Sequence, residues 1–381
     1  MKILHIIAAY KPAYVYGGPT MSVSALCEAL SKANIDTEVF TTTANGTTEL
    51  PVTANQSTMV NGVTVIYFKR ITKDHTHFSP ALLKTLWKRA KEFDAIHIHA
   101  WWNLVSVSSC AIALAKGVPV ILSPRGTLSD YSFVTNNTNK KQLIHRFIGK
   151  KLLAKCHIHI TAVRESISIQ KIVKPLSITT IPNFVKLPSH PIERLVTAND
   201  SLKLLFFSRI EEKKGLDILL QALNTITIPF HLTIAGGGDI SYINKLKALV
   251  LNPAVVAKIT WAGVYNDNKF DMLSRHDLLV LPSHDENFGN VVIESLSVGT
   301  PVLVSHNVGL ADYVKEHHLG WVCDTDATSI SDAINSISVL TTERKEIQNI
   351  APGVIKKDFS VSHLVQQYIS FYKDILAHER L

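Results

Sequence analysis

The stretch from Leu278 to Ser305, LLVLPSHDENFGNVVIESLSVGTPVLVS, constrains the fold of this chain more than any other. Leu278 to Leu281 is an apolar run without polar alternation. Pro282-Ser283 break it, a polar loop carries Glu286, an amphipathic segment carries Glu294, and Gly299-Thr300-Pro301 turn the chain into a second apolar run. Apolar runs joined by a helix suggest parallel strands buried on both faces. Ligands of open parallel sheets bind beyond the carboxyl ends of the strands, which is where Glu286 falls.

The same signature recurs along the chain. Residues 3 to 7 form a first strand, followed by a loop ending in Gly17-Gly18-Pro19 and a helix from about Thr20. Further strands are expected at Glu38 to Thr42, Val63 to Phe68, Ala95 to His99, Pro119 to Ser123, His157 to Val163 and Ile178 to Ile181. From 186 to 201 the periodicity lapses into Pro, Ser, Asn and Asp, as in a linker. A second series then runs from Leu202 to Phe207, His231 to Ala235, Lys258 to Ala262, Leu278 to Leu281, Val302 to Ser305 and Gly320 to Cys323. Alternation of this kind argues doubly wound α/β domains, and 381 residues exceed what one core usually serves. The expected domains are 1–185 and 202–361. A last helix, Ser362 to Ala377, has Leu364, Tyr368, Phe371, Tyr372 and Leu376 on one face.

Charge is unevenly placed. The chain carries a net +8, but residues 1–190 hold 22 Lys and Arg against 9 Asp and Glu. Within them Lys140 to Lys155 is a basic amphipathic segment with no acid, of a kind that faces an anionic ligand or membrane surface, or simply solvent. No recognised nucleic-acid-binding module accompanies the charge, so nucleic acid is not an expected partner. No apolar run approaches the roughly 18–20 residues of a membrane span, and the N-terminus lacks a signal-peptide pattern. A cytoplasmic protein is expected, with attachment at the inner face of the plasma membrane through 140–155 as an open possibility. Cys27, Cys110, Cys156 and Cys323 form no CxxC pair and are expected as buried thiols.

Several residues suit an anionic ligand. Gly17 and Gly18 open a helix whose N–H groups can approach an anion. Arg209 and Lys214 follow the strand ending at Phe207, and Arg can grip phosphate oxygens bidentately. Gly236-Gly237-Gly238 end another strand and allow close backbone approach. The amides of Phe288, Gly289 and Asn290 at a helix start suit a diphosphate, Glu294 one turn in suits ribose hydroxyls, and Glu286 suits sugar hydroxyls. Asp324-Thr325-Asp326 reads as a surface loop rather than a metal motif. His97 and His99 lack the Cys, Asp or Glu spacing that would complete a metal site.

PSHDENFGNVVIESLSVGTPV resembles the E-x7-E signature of retaining glycosyltransferase family 4 (group 1), and other pieces fall in that family's order: Gly17-Gly18, His97-x-His99, SPRG at Ser123 to Gly126, IPN at Ile181 to Asn183, and Arg209 with Lys214. The resemblance implies a GT-B fold, two Rossmann-like doubly wound domains facing a central cleft, with the C-terminal helix (362–381) returning to the N-terminal domain. It implies acceptor binding mainly by the first domain and nucleotide-sugar binding mainly by the second. Arg209 and Lys214 would hold the diphosphate in place of a metal ion, Glu294 the ribose, Glu286 the donor sugar, Gly18 the phosphates and His99 the sugar near its reacting carbon. The base would lie by Gly263-Val264 and Gly236 beside the donor. Arg125 is a candidate acceptor-side cation or else a buried loop anchor. No cofactor or metal is expected beyond the nucleotide-diphosphate sugar as co-substrate. Asn287 and Ser295, where the family usually has Gly and Ala, are expected beside the donor and bear on the choice of sugar. Phe184 stands where Gly usually follows IPN. The implied activity is retaining transfer of a hexose-type sugar to an acceptor hydroxyl, on a saccharide or lipid-linked acceptor, in surface polysaccharide or glycolipid assembly. The alternatives are a sugar-nucleotide 2-epimerase on the same fold and a non-catalytic nucleotide-sugar-binding protein.

Overall fold

The computed structural model of the chain describes residues 1–129, 148–190, 192, 201–265 and 268–379. Two compact units are present, Met1–Phe184 with Val361–Leu381, and Val185–Ser360. The residues between 186 and 201 that were expected as a linker lie mostly outside the described ones, as do 140–147 of the basic segment.

Unit 1 is built on β1 (Lys2–Ile6), β2 (Asp36–Thr42), the small hairpin β3 (Ala44–Asn45) and β4 (Thr48–Glu49), β5 (Ser57–Val60), β6 (Val63–Phe68), β7 (Ala95–His99), β8 (Val120–Ser123), β9 (His157–Ile160) and β10 (Ser177–Thr180). All but the hairpin join one eight-stranded sheet, ordered β10-β9-β8-β7-β1-β2-β6-β5, parallel except for the antiparallel pair β5–β6. The three short strands β3 to β5 escape the sequence pattern because two are only two residues long and β5 is largely exposed, so neither carries an apolar run.

Helices cover both faces. On one lie α1 (Gly18–Lys32), whose Leu26 and Leu30 pack against Ile3, and the C-terminal helix, whose Leu364, Tyr368, Phe371, Tyr372 and Ile375 complete that core. On the other lie α2 (Pro80–Arg89), α3 (Leu104–Ala115), α4 (Lys150–Leu153) and α5 (Val163–Ile172), around Ile96, Ile98, Leu122 and Ile158. Ser79 caps α2 and Asn103 caps α3, each side chain accepting from an N–H of the first turn.

Unit 2 has six parallel strands, β11 (Leu202–Phe207), β12 (Phe230–Ala235), β13 (Ile259–Gly263), β14 (Leu278–Leu281), β15 (Val302–Ser305) and β16 (Gly320–Cys323), in the order β13-β12-β11-β14-β15-β16. The order reverses between β11 and β14, a switch point at which doubly wound sheets hold ligands. The helices used below are α6 (Leu216–Ala222), α7 (Lys269–Ser274), α8 (Asn290–Ser297), α9 (Ala327–Val339) and α10 (Thr341–Asp358); Val361–His378, the helix of unit 1, is α11. All four cysteines are free and buried. Asp326 caps α9 and Asp324 is exposed, so the D-x-D triplet belongs to a helix entry.

Candidate active site

The two strands beside the switch point bring the charged residues of unit 2 together. Beyond β11 the chain makes one 3-10 turn, Glu212–Lys214, and Gly215 ends it in the left-handed conformation at φ 69° before α6 begins. A Cβ on Gly215 would overlap the carbonyl oxygen of Pro282, so glycine is what lets the β11 loop press on the β14 loop. The backbone link His284 N–H to Lys213 O, 2.8 Å, fastens the same two loops. Lys214 is thereby buried and its ammonium pairs with the Glu286 carboxylate.

Glu286 is fixed at its backbone as well. Its N–H donates to Asn307 O at 3.1 Å, and its carbonyl accepts from Gly309 N–H at 2.8 Å. Three residues on, Gly289 at φ 94° turns the chain into α8, which starts at Asn290. Glu294, in the second turn, is buried, and its Oε1 accepts from Lys269 Nζ at 2.5 Å. The carboxylates at the two ends of the loop-helix unit therefore each carry a lysine.

Arg209 stands apart: its side chain is 53% exposed and its Nη1 donates to Glu211 at 2.6 Å. Gly236, at φ 153°, has backbone so close to Ser208 O that no Cβ fits, which sets the glycine loop after β12 against the start of the Arg209 loop. Val264, after β13, is exposed. Ser295 corrects an expectation. It is fully buried and its hydroxyl donates to Thr300 O at 2.9 Å, so its one O–H ties α8 to the turn before β15 and is not offered to a ligand.

In unit 1 the strand ends form a polar band. His5 and His97 are register partners on β1 and β7, and His99 pairs with Ser123 of β8. With His159 of β9, these residues share one buried sheet face. Arg125 Nε donates to His99 Nδ1 at 3.3 Å and its Nη1 to Asn183 Oδ1 at 2.7 Å. Arginine is always a donor, so the neutral His99 carries its proton on Nε2 and gives it to His5 Nδ1, 3.0 Å away. His5 then holds its own proton on Nε2, buried without a partner among the described residues. His97 bridges Tyr372 Oη at 2.8 Å and Ser123 Oγ at 2.6 Å, and Ser123 Oγ also meets His159 Nδ1 at 2.5 Å. Burial first, then the Arg125 charge, lowers the pKa of His5 and of His159 to about 3. His97 and His99 are lowered for the same reasons, aided by their imidazole neighbours.

Among the described residues, His5, His97 and His99 are the group that could offer metal ligands, their nitrogens lying within 4.8 Å of one another. Their ring nitrogens are largely spent on hydrogen bonds, and the Arg125 field that opposes a proton there would oppose a divalent cation more strongly. The band reads as a neutral hydrogen-bonded network. His99, expected to meet a sugar, has both ring nitrogens engaged. Gly17, at φ 65°, caps α1 with open space before it, and Gly18 is the first residue of the helix.

Lys269 and His5 were not singled out from sequence, and Asn183 was noted only as the end of the IPN motif. Lys269 lies 25 residues before Glu294 in a stretch without motif, so nothing short of the fold pairs them.

Two Rossmann-like α/β domains built on largely parallel sheets, the second presenting lysine-paired carboxylates at its switch point, have the GT-B fold. The chain belongs to the group 1, family 4 glycosyltransferases: a family model described as "Glycosyltransferase Family 4" matches residues 16–187 and one described as "Glycosyl transferases group 1" matches residues 192–353. It is 29% identical over 179 residues to an uncharacterized glycosyltransferase of Methanocaldococcus jannaschii, a match spanning 46% of this chain and 45% of that protein. It is 24% identical over 304 residues to the N-acetyl-alpha-D-glucosaminyl L-malate synthase of Bacillus anthracis, covering 76% of this chain and 77% of the relative. Among solved structures it resembles the HepE protein of Anabaena in complex with UDP-glucose, with a TM-score of 0.73 and 18% identity over 98% of this chain and all of that one.

Proposed function

We propose that the chain is a retaining, metal-independent glycosyltransferase that moves a hexose-type sugar from a nucleotide-diphosphate sugar to an acceptor hydroxyl, in surface polysaccharide or glycolipid assembly. The observation that carries the reading is the pair of lysine-bound carboxylates, Lys214–Glu286 and Lys269–Glu294, flanking the start of α8 at the switch point of unit 2. A donor offers both halves of what this arrangement complements: hydroxyls for the carboxylates, and a diphosphate for the lysine and the helix amides.

In this reading Glu294 holds the ribose, Glu286 the hexose, and the amides of Phe288, Gly289 and Asn290 the diphosphate. Lys214 turns from Glu286 to the phosphates, and Arg209 exchanges its exposed partner Glu211 for them. Together they offset the charge that grows on the departing nucleotide, work a metal ion would otherwise do. The base lies by Val264 and Gly236, and Gly17 with Gly18 serves phosphate oxygens. His99 is kept in one tautomer by Arg125, which also serves an acceptor of anionic character. The acceptor hydroxyl attacks on the face the nucleotide leaves, and the leaving diphosphate oxygen takes its proton.

Thermal-shift screening of uridine, guanosine and adenosine diphosphate sugars selects the donor, and transfer is then followed with NMR of the product anomer. Retention of the donor's anomeric configuration, and a rate unchanged by a chelator, are expected. An inverted product or loss of activity in EDTA overturns the respective part. Epimerised nucleotide sugar without acceptor would identify a 2-epimerase, and binding without turnover or hydrolysis a binding protein.

A further inference from the structure

The outer helices of unit 1 carry a feature that no part of the reaction uses. A helix on the surface of a water-soluble domain normally turns a charged face outward. In α3 none of the 12 residues from Leu104 to Ala115 is charged. Its outward positions are apolar or small: Leu104 is 40% exposed, and Val107, Ser108 and Ala111 are half-buried. The helix on one side is as unusual in the opposite sense. Along α2 and the turn after it, Lys84, Trp87, Lys88 and Lys91 are all exposed at helical spacing, with no acid among them. Trp87 is 52% exposed, and Lys116, at the end of α3, places its ammonium 3.7 Å from the ring centroid. Beyond α3, α4 adds exposed Lys150 and Lys151, preceded by half-exposed Ile148. Helix α3 packs against both α2 and α4.

Two acids in neighbouring segments are engaged locally. Glu92 is held by Arg89, and the Asp74 carboxylate accepts from the N–H and hydroxyl of Thr76. The face is therefore an uncharged stripe one helix wide, bordered by lysines and anchored by a tryptophan.

We infer that the α2–α3–α4 face of unit 1 docks on an anionic lipid bilayer, with α3 and Trp87 lying at the boundary of headgroups and acyl chains and the flanking lysines reaching lipid phosphates. Charge complementarity selects a polyanionic partner. The uncharged stripe selects a bilayer over a soluble acidic chain, because water-exposed apolar surface gains by burial only where the partner has an apolar layer beneath its charge. Lysine stems lie along that layer while their ammonium groups stay at the phosphates, and tryptophan favours the same depth. The inference places on α2, α3 and α4 a membrane contact that the sequence left open for 140–155, and it is independent of donor, acceptor and stereochemistry.

Cosedimentation of the full-length chain with phosphatidylcholine vesicles, with and without about 30 mol % phosphatidylglycerol, tests it. Binding is expected only with the anionic lipid, weakening at least about tenfold in 0.5 M salt and in the triple variant Lys84→Glu/Lys88→Glu/Lys150→Glu. Trp87→Ala and Ser108→Asp, which alter exposed or half-exposed positions, are expected to weaken binding by about fivefold or more without lowering the melting temperature. Equal binding to both vesicle types, or a triple variant that sediments like the parent, overturns the inference. Charge-dependent binding indifferent to Trp87→Ala and Ser108→Asp also overturns it, in favour of a soluble acidic partner. Donor binding by all variants should match the parent, so failure here leaves the catalytic reading standing and failure there leaves this one.

Discussion

Lys214 and Lys269 perform at residue scale what the motif alone does not reveal: each supplies the counter-charge of a carboxylate, Glu286 half-buried and Glu294 buried. Removing one partner of such a pair costs about 3–5 kcal/mol when the pair is fully buried and less where water reaches it, as at Lys269. Lys214→Ala is expected to lower kcat about 10²- to 10³-fold and to lower the melting temperature, because it removes a phosphate ligand and strands Glu286. Glu286→Gln keeps the shape but leaves the buried Lys214 ammonium without its counter-charge, so kcat should fall and the melting temperature should fall with it. For Lys269→Ala, steady-state kinetics should show donor KM raised about tenfold with kcat within about twofold, as when ground-state and transition-state binding are lost together. An unchanged KM would remove Lys269 from the donor site.

At the scale of elements, two contacts decide where the pieces sit. Gly215 lets the loops after β11 and β14 touch, and Gly215→Ala must move Pro282 or leave the left-handed turn. Thermal unfolding should register a loss of at least about 1 kcal/mol together with weakened donor binding. Helix α11 is held on unit 1 by apolar packing and by two hydroxyls, Tyr372 to His97 and Tyr368 to His159 at 3.1 Å. Tyr372→Phe leaves His97 Nδ1 unpaired in the core and should cost about 1–3 kcal/mol, read from denaturant unfolding. Phe184, placed where glycine was expected, stacks on Tyr368 at 5.7 Å and belongs to this docking.

For the molecule as a whole, the buried histidines set an acid limit. Folded, His5, His97, His99 and His159 stay neutral well below their ordinary range, facing Arg125, Ser123, Tyr368 and Tyr372; unfolded, each titrates near pH 6.5. As pH falls from about 6.5 toward 3, the unfolded chain takes up protons that the folded chain cannot, so stability is lost progressively across that window and is complete above it. The melting temperature should drop between about pH 7 and pH 5, and the drop should shrink in His159→Asn. No described helix is long and apolar enough to cross a membrane.

Strand positions, the α/β class and the carboxylates of Leu278 to Ser305 were legible because they rest on local patterns: apolar runs for strands buried on both faces, glycine where a turn needs it, a helix start after Gly289. What α11 packs on was open from its pattern, since an apolar helix face says that it is buried and not against what. The Lys269–Glu294 pair, the inward turn of Ser295, the His5–His99–Arg125 chain and the uncharged surface of α3 were decided only in three dimensions. Each depends on which distant residue a side chain meets, and a parallel sheet brings such residues together through crossovers tens of residues long, a separation that periodicity and spacing do not encode. The stretch from Leu278 to Ser305 thus announces two carboxylates at a ligand-binding edge, while the tertiary structure supplies the lysines that hold them there.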